Sequence, residues 1–364
     1  MKQRFINKRV VIIGASGGLG EAYAQAFQDE GASLMLVSRS PEKVQALRER
    51  LGGETAVAAA DITDETAVRK LVEVVGEWCG GGGVDVVVNA TGFDVRKSLA
   101  VHELEEIRLT LDTNLLGAIL ITRQFLPVMK NSSGSTIVHM GGFADGRLAF
   151  PYYSVDVASR AGIHAFTEAM NRELKQEGSR VTATYFCPNS ADTPAERPFH
   201  QVWKEMGIAI SSPEQVAAEL LDAVARKRTV WLMGGLPTRA FAKLNVLAPG
   251  LADKLLLNRY GRILQKHFGG GGTLLSTQSA RKKTLRAAAI VMIVLSFILY
   301  ALLPVLPFLP LTLRMKSVAG GVLIGASEIV FWTGAVILGK EAVAKYKRWM
   351  NPLHWFCCGK RPGV

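Results

Sequence analysis

Residues 8–30, KRVVIIGASGGLGEAYAQAFQDE, decide the fold. A short apolar run, Arg9 to Ile13, stops at Gly14, and Glu21 to Glu30 reads as a helix. Between them lie Gly14, Ala15, Ser16, Gly17, Gly18, Leu19 and Gly20. Small residues let the backbone turn tightly and approach a pyrophosphate, and the helix start offers free N–H groups to the anion. Glycine spacing alone is weak, but directly after a strand and before a helix it is specific. Gly14, Ser16, Gly17, Gly18, Leu19 and Gly20 are therefore expected to hold a dinucleotide.

Working outward, strand-like and helix-like runs alternate. Ser33 to Val37, Ala56 to Ala60, Val84 to Val88, Thr136 to Met140 and Val181 to Phe186 read as strands. Pro41 to Leu51, Glu65 to Trp78, Leu104 to Met129 and Ser154 to Glu177 read as helices, and Ser212-Pro213-Glu214-Gln215 as the capped start of another. The run Val84 to Val88 is apolar on both faces but for Asp85, as a buried parallel strand requires. The pattern predicts an α/β domain with a doubly wound, Rossmann-like parallel sheet. The second strand ends in Ser38-Arg39, where an acidic residue would bond the ribose hydroxyls of NAD(H). Arginine there suits a 2′-phosphate and favours NADP(H), with NAD(H) the lesser alternative.

The chain has 364 residues, 49% hydrophobic and 20% charged, which excludes wholesale disorder. Of the net charge of +12, residues 281–364 carry +10, so the basicity belongs to the tail. Those charges flank apolar runs, which points to a membrane rather than to nucleic acid. Cys79, Cys187, Cys357 and Cys358 have no metal-ligand spacing, so no metal site is expected. The first fourteen residues are too short a pattern for a secretory signal, so a cytoplasmic start is expected.

These motifs resemble the short-chain dehydrogenase/reductase family over about residues 5 to 235. GASGGLG is similar to its cofactor loop, with Ile13 where threonine is usual. Ala60-Asp61-Ile62-Thr63-Asp64 resembles the segment that contacts adenine, which implicates Asp61 and Ile62. Asn89-Ala90-Thr91-Gly92 resembles the NNAG segment, implicating Asn89 and Gly92. Asp112-Thr113-Asn114-Leu115-Leu116-Gly117 matches the segment of the catalytic asparagine, Asn114. Cys187-Pro188-Asn189-Ser190-Ala191-Asp192-Thr193-Pro194 places Thr193 at the nicotinamide amide, although Asn189 replaces the usual glycine.

The departures fall on the catalytic positions. No YxxxK occurs in the chain. Ungapped alignment of residues 158–170 with the family's ASKAGLxAFTEAL helix puts Arg160 at the lysine position and Asp156 at the tyrosine position, while Gly142 stands for the catalytic serine. Burial would raise the Asp156 carboxyl and make it an acid, but an i,i+4 arginine favours the ionised carboxylate, and an aspartate held by arginine is a poor proton donor. Tyr153, Tyr152, His139 and His164 are alternative donors. Tyr153 begins a second alignment that leaves Val157 at the lysine position. Arg160 also suits the ribose hydroxyls.

The remaining chain divides by composition. A helical extension is expected over 236–268 and a flexible basic linker over 269–286. Two membrane spans, about 287–306 and 318–339, would form a hairpin over 287–340, with a basic tail at 341–364. Basic residues are denser outside the turn, which places the folded domain and the C-terminus in the cytoplasm, consistent with a bacterial inner membrane. Glu328 lies inside the second span and is read as bonded to the neighbouring helix. Phe199, Trp203, Met206 and Ile208, where the family has a substrate lid, suit apolar contacts or packing beneath the lid.

The expectation is a membrane-anchored NADP(H)-dependent oxidoreductase acting on a carbonyl or alcohol, with an apolar or lipid-like substrate. A homo-oligomer through residues 158–173 is what the resemblance implies. The alternative is a catalytically silent NADP(H)-binding sensor or scaffold.

Overall fold

Seven parallel strands form one sheet in the order β3-β2-β1-β4-β5-β6-β7: β1 Arg9–Ile13, β2 Ser33–Ser38, β3 Ala56–Ala59, β4 Val86–Asn89, β5 Thr136–Met140, β6 Thr182–Cys187 and β7 Val230–Leu232. The computed structural model describes residues 3–53, 55–130, 134–142, 148–269, 291–304, 310 and 312–349. Strand order reverses between β1 and β4. In such sheets ligands bind outside the carboxyl ends of the strands at that point.

Alternation along the strands explains the two faces. Val10 and Ile12 of β1 join Tyr23 and Phe27 of α1 (Gly18–Asp29) in one buried cluster, with Leu220 and Leu221 of α8 (Pro213–Ala225). Val11 and Ile13 point the other way, onto Val68 and Leu71 of α3 (Glu65–Trp78) and Ile121 and Phe125 of α5 (Gly117–Lys130). α2 spans Pro41–Leu51. Asp64 caps α3 through Thr66 N–H at 2.8 Å. α8 begins with Pro213 and a reciprocal Ser212–Gln215 capping box, as its sequence predicts.

Two expectations need correction. Leu104 to Met129 is not one helix: α4 (Leu104–Leu111) and α5 flank a π-helical turn, Asp112–Leu116. β7 went unread, because three residues give too short an apolar run to distinguish a strand.

The stretch after β7 packs back on the domain. α9 (Gly235–Leu247), α10 (Pro249–Leu256) and the helical turns to Gly269 contribute Ala242, Leu256, Leu264 and Phe268 to a third cluster. Its other members include Tyr153 at the cap of α6 (Ser154–Gln176) and Val202, Trp203 and Met206 of α7 (His200–Met206). Glu205 holds Lys266 and His267, each at 3.0 Å. By backbone proximity Met1–Thr273 is one compact unit and Leu274–Val364 another.

In the second unit, Val291–Ala301 and Leu313–Trp349 are helices. Arg314–Thr333 is long and apolar enough to cross a membrane. The helix starts at Leu313 rather than 318, where Thr312 Oγ1 accepts the Met315 N–H, and it continues past 339 with no proline before Trp349. Tyr300 and Trp332 both donate to the Glu328 carboxylate, at 2.9 and 2.8 Å, so the expected inter-helix bond is present. Val291–Ala301 falls short of about 20 residues, the length of a span. Residues 287–290 and 305–306 of the first expected span lie outside the described residues, as do the linker at 270–286 and the tail from 350.

Candidate active site

The loop after β1 is shaped by its glycines. Gly14 has φ +83°, and its N–H and that of Ala15 bond to Val37 O at 2.9 and 3.0 Å. A Cβ on Gly20 would lie 2.2 Å from Gly14 O, so the helix can approach the turn only without one. No side chain caps α1 at Gly17, which leaves its first turn to an anion. A Cβ on Gly18 would meet Thr193 Cβ and Cγ2 at 2.9 Å, so the loop after β6 rests directly on the phosphate loop. Leu19 is half-buried and packs into the core below, while lining the cavity above the loop. These residues form a cradle that fits the pyrophosphate of a dinucleotide.

Ser16 and Ser38 hydroxyls lie 2.7 Å apart at the end of β2. Arg39, beyond them, is exposed and has no ion pair with the described residues. Asp61 is exposed, but its Oδ1 already accepts the N–H and hydroxyl of Thr63, at 3.0 and 2.8 Å. The Ile62 side chain is buried under α5, against the position of Gly117. The Asn89 side chain is likewise used internally: it accepts from Thr91 N at 3.2 Å and Thr91 Oγ1 at 2.5 Å, and its amide meets His139 Nδ1 at 3.4 Å. Ile62 and Asn89 thus shape the loops by packing and bonding within the protein.

The π-helical turn carries Asn114 inward. Its Oδ1 accepts Phe93 N–H at 2.9 Å, and its amide donates to Phe93 O at 2.8 Å, Ser159 Oγ at 3.0 Å and Asp156 Oδ1 at 3.3 Å. Asp156, in the first turn of α6, also accepts from Arg160 Nε at 3.2 Å, and Arg160 Nη1 donates to Met140 O at 2.9 Å. Burial pushes the Asp156 carboxyl up, and this outweighs the opposing pull of Arg160. Of the two opposing effects weighed from the sequence, burial is the larger, so the expectation that Arg160 keeps the carboxyl a poor donor is corrected.

Two glycines make room for Arg160. A Cβ on Gly142 would meet its Cβ and Cγ at 3.3 and 3.2 Å, and a Cβ on Gly92 would meet its Nη2 at 2.8 Å. A side chain at 142 would press on the arginine stem, so glycine at 142 and arginine at 160 fit together.

Tyr153 lines the same cavity as Asp156, Arg160 and Gly17–Gly20. Its ring packs edge-on against Phe268 at 5.7 Å, and burial raises the phenol, keeping it protonated at neutral pH. Tyr152 is not brought there: at φ +71° it turns toward Gly269. His139 is enclosed between Thr122 Oγ1, at 2.8 Å, and Asn89, and burial lowers it to about 4. It is neutral, both ring nitrogens are engaged within the protein, and it does not line the cavity that Asp156 lines. His164 packs edge-on against Tyr185 on another surface of the domain.

Three charged residues were not singled out by sequence. Arg96 is buried and donates to Asp94 at 2.6 Å and to Glu196. Its guanidinium carbon lies 3.9 Å from the Phe199 ring centroid and 5.4 Å from those of Tyr153 and Trp203. Trp203 Nε1 also donates to Glu196, at 2.9 Å. Their only sequence signal is position: each follows the carboxyl end of a central strand. Phe199, Trp203 and Met206 are buried beneath the lid segment, whereas Ile208 lines a second cavity.

The cavity above the phosphate loop has a volume of about 330 Å³. It adjoins a larger one, about 700 Å³, through Pro188, Asn189 and Ser190. The larger cavity is walled mainly by apolar side chains, among them Leu148, Phe150, Ile208, Phe241 and Leu256. Among the described residues no group of acidic, histidine or cysteine side chains could hold a metal.

Residues 8–202 match the family model described as short chain dehydrogenase. The chain is 30% identical over 259 residues to a ketoacyl reductase, HetN, of a Nostoc species, covering 70% of this chain and 88% of that protein. It is 30% identical over 190 residues to an uncharacterized oxidoreductase of Staphylococcus epidermidis, covering 51% and 79% of the two chains. Its fold is similar to the crystal structure of a short chain dehydrogenase/reductase from Burkholderia phymatum in complex with NAD, with a TM-score of 0.61 and 21% identity over 68% of this chain and 96% of that one.

Proposed function

The chain belongs to the short-chain dehydrogenase/reductase family, and from that premise we propose that it is an NADP(H)-dependent oxidoreductase in which Asp156 replaces the family's tyrosine as the proton donor. The observation that carries the reading is the placement of Asp156: a buried carboxyl, raised by desolvation, on the wall of the cavity that begins at the phosphate loop. The nicotinamide, when bound, supplies or accepts the hydride. Gly14 to Gly20 would hold the pyrophosphate, and exposed Arg39 the 2′-phosphate. Gly92, Asp61 and Thr193 complete the expected cradle, with Arg160 on the ribose.

In reduction, the protonated Asp156 gives its proton to the carbonyl oxygen. Arg160 and Asn114 already bond to Oδ1 and steady the carboxylate that results. A raised carboxyl is what such a donor needs near neutral pH. The adjoining apolar cavity supports an apolar or lipid-like carbonyl or alcohol as substrate, as does the apolar helix that follows the domain. That helix supports anchoring in a membrane, and the relatives named above are bacterial; the domain and the C-terminus would share the cytoplasmic side only if the first apolar stretch also crosses.

The second reading, a silent NADP(H)-binding sensor or scaffold, is favoured by the Asp156–Arg160 ion pair and the bare Gly142. The deciding experiment measures NADPH binding and NADPH oxidation against a panel of medium- and long-chain ketones. Binding with carbonyl-dependent oxidation supports the enzyme. Tight binding with no turnover on any ketone, in wild type and D156N alike, supports the silent module.

A further inference from the structure

Most exposed leucines of a soluble domain are scattered singly and need no explanation. Those of α9 and α10 follow a pattern. Leu236 and Leu247 are 80% and 82% exposed, at either end of α9. On α9, Leu236, Arg239, Lys243, Val246 and Leu247 are all exposed, a spacing that places them on one helical face. α10 and the turn after it add exposed Leu251, Leu255 and Leu257. Across residues 235–268 there are six lysines and arginines and one acidic residue, Asp253. The opposite face is committed to the core through Ala242, Ala252 and Leu256.

We propose that this α9–α10 face lies on an anionic lipid bilayer, with its leucines in the interface and its cations against the headgroups. An amphipathic segment of exposed leucines flanked by lysine and arginine has the composition of an interfacial helix. Charge complementarity selects an anionic surface over a second copy of this chain, whose matching face would bring like charges together. The same chain continues into a helix long and apolar enough to cross a membrane, which keeps the domain near one.

The larger cavity gives the face a use. Exposed Pro237, Leu255 and Arg259 on the docking helices also line that cavity. An apolar chain leaving the bilayer there enters the cavity without crossing water, and its head reaches Pro188 to Ser190, where the two cavities meet. The docking goes beyond the oxidoreductase reading and is independent of turnover.

The test uses the full chain in nanodiscs of phosphatidylcholine with or without phosphatidylglycerol. An environment-sensitive fluorophore is placed on L247C, with Cys357→Ser and Cys358→Ser; Cys79 and Cys187 are buried. The reference position is E49C, exposed on α2. The expected result is a blue shift at 247 and none at 49, larger with phosphatidylglycerol. Arg239→Gln and Lys243→Gln should each lower the docked fraction relative to undocked about 5-fold. A probe at 247 as polar as that at 49 overturns the proposal. So does a shift that ignores lipid charge and appears only when a disc holds two copies, which assigns the face to self-association. If the chain fails to enter discs, the anchoring reading fails instead, and the same probe with added vesicles of both compositions decides the docking.

Discussion

Replacing Asp156 by asparagine separates chemistry from structure at this site. The amide keeps an oxygen where the carboxylate oxygen accepts from Asn114 at 3.3 Å and Arg160 at 3.2 Å. Arg160 also keeps its bond to Met140 O at 2.9 Å. The fold therefore loses at most the difference between charged and neutral hydrogen bonds, about 1–2 kcal/mol, and less where the carboxyl is already protonated. For a unit of this size that lowers the melting temperature by a few degrees, roughly 2–4 °C per kcal/mol. The acidic proton is lost entirely, and a positioned general acid contributes about 10²–10⁴-fold. We expect kcat for ketone reduction to fall by at least about 100-fold while NADPH affinity stays within about threefold. In the wild type, kcat should decline as pH rises through the raised carboxyl pKa, because reduction needs the protonated form. D156N should lack that limb. The assays are NADPH oxidation followed at its absorbance band, calorimetric NADPH binding and thermal melting. Turnover within tenfold of wild type would refute Asp156 as the donor. An equal fall in NADPH affinity would show that the substitution damages the cradle instead.

Other outcomes follow from the same geometry. Gly18→Ala drives a methyl to 2.9 Å from Thr193, and overpacking of about 1–3 kcal/mol should appear as weaker NADPH binding with a lower melting temperature. Unchanged binding would remove Thr193 from the cradle. Arg39→Ala should weaken NADPH but not NADH, by the roughly 1.5–3 kcal/mol of a charge-assisted bond, read by calorimetry with both nucleotides. His139 is lowered from 6.5 to about 4, so the unfolded chain takes up its proton first as pH falls. Stability is full above about 6.5, declines between there and about 4, and loses about 3 kcal/mol in all, a decline that His139→Gln should flatten in urea titrations.

The doubly wound sheet was legible because β1, β2 and β5 are short apolar runs between turn residues, and β1 and β5 have the bounds the sequence predicts. The phosphate loop was legible because its glycines are forced: the turn at Gly14 and the approach of Gly20 admit no Cβ. Register put Asp156 and Arg160 one helical turn apart, and they do pair in the structure, but which of burial and pairing governs the carboxyl was not legible, since a sequence shows spacing and not the degree of burial. Arg96, Asp94 and Glu196 escaped because they sit on irregular loops, with Arg96 and Glu196 100 residues apart, and meet only after the sheet brings those loops together. Tyr152 and Tyr153 are neighbours in sequence, but a left-handed backbone at the first sends their rings to different places.

Arg96 ties the loop after β4, through Asp94, to the loop after β6, through Glu196, and stacks on rings at the cap of α6 and at the start of α7. A single guanidinium thus belongs to four segments at once. Releasing one of them would break contacts held by the others, so the rim over the smaller cavity is expected to open as one unit rather than loop by loop. Amide hydrogens on both loops should then exchange with a common opening free energy, and one substitution, Arg96→Ala, should uncouple them. A residue in no motif would thereby set the cooperativity with which that rim opens.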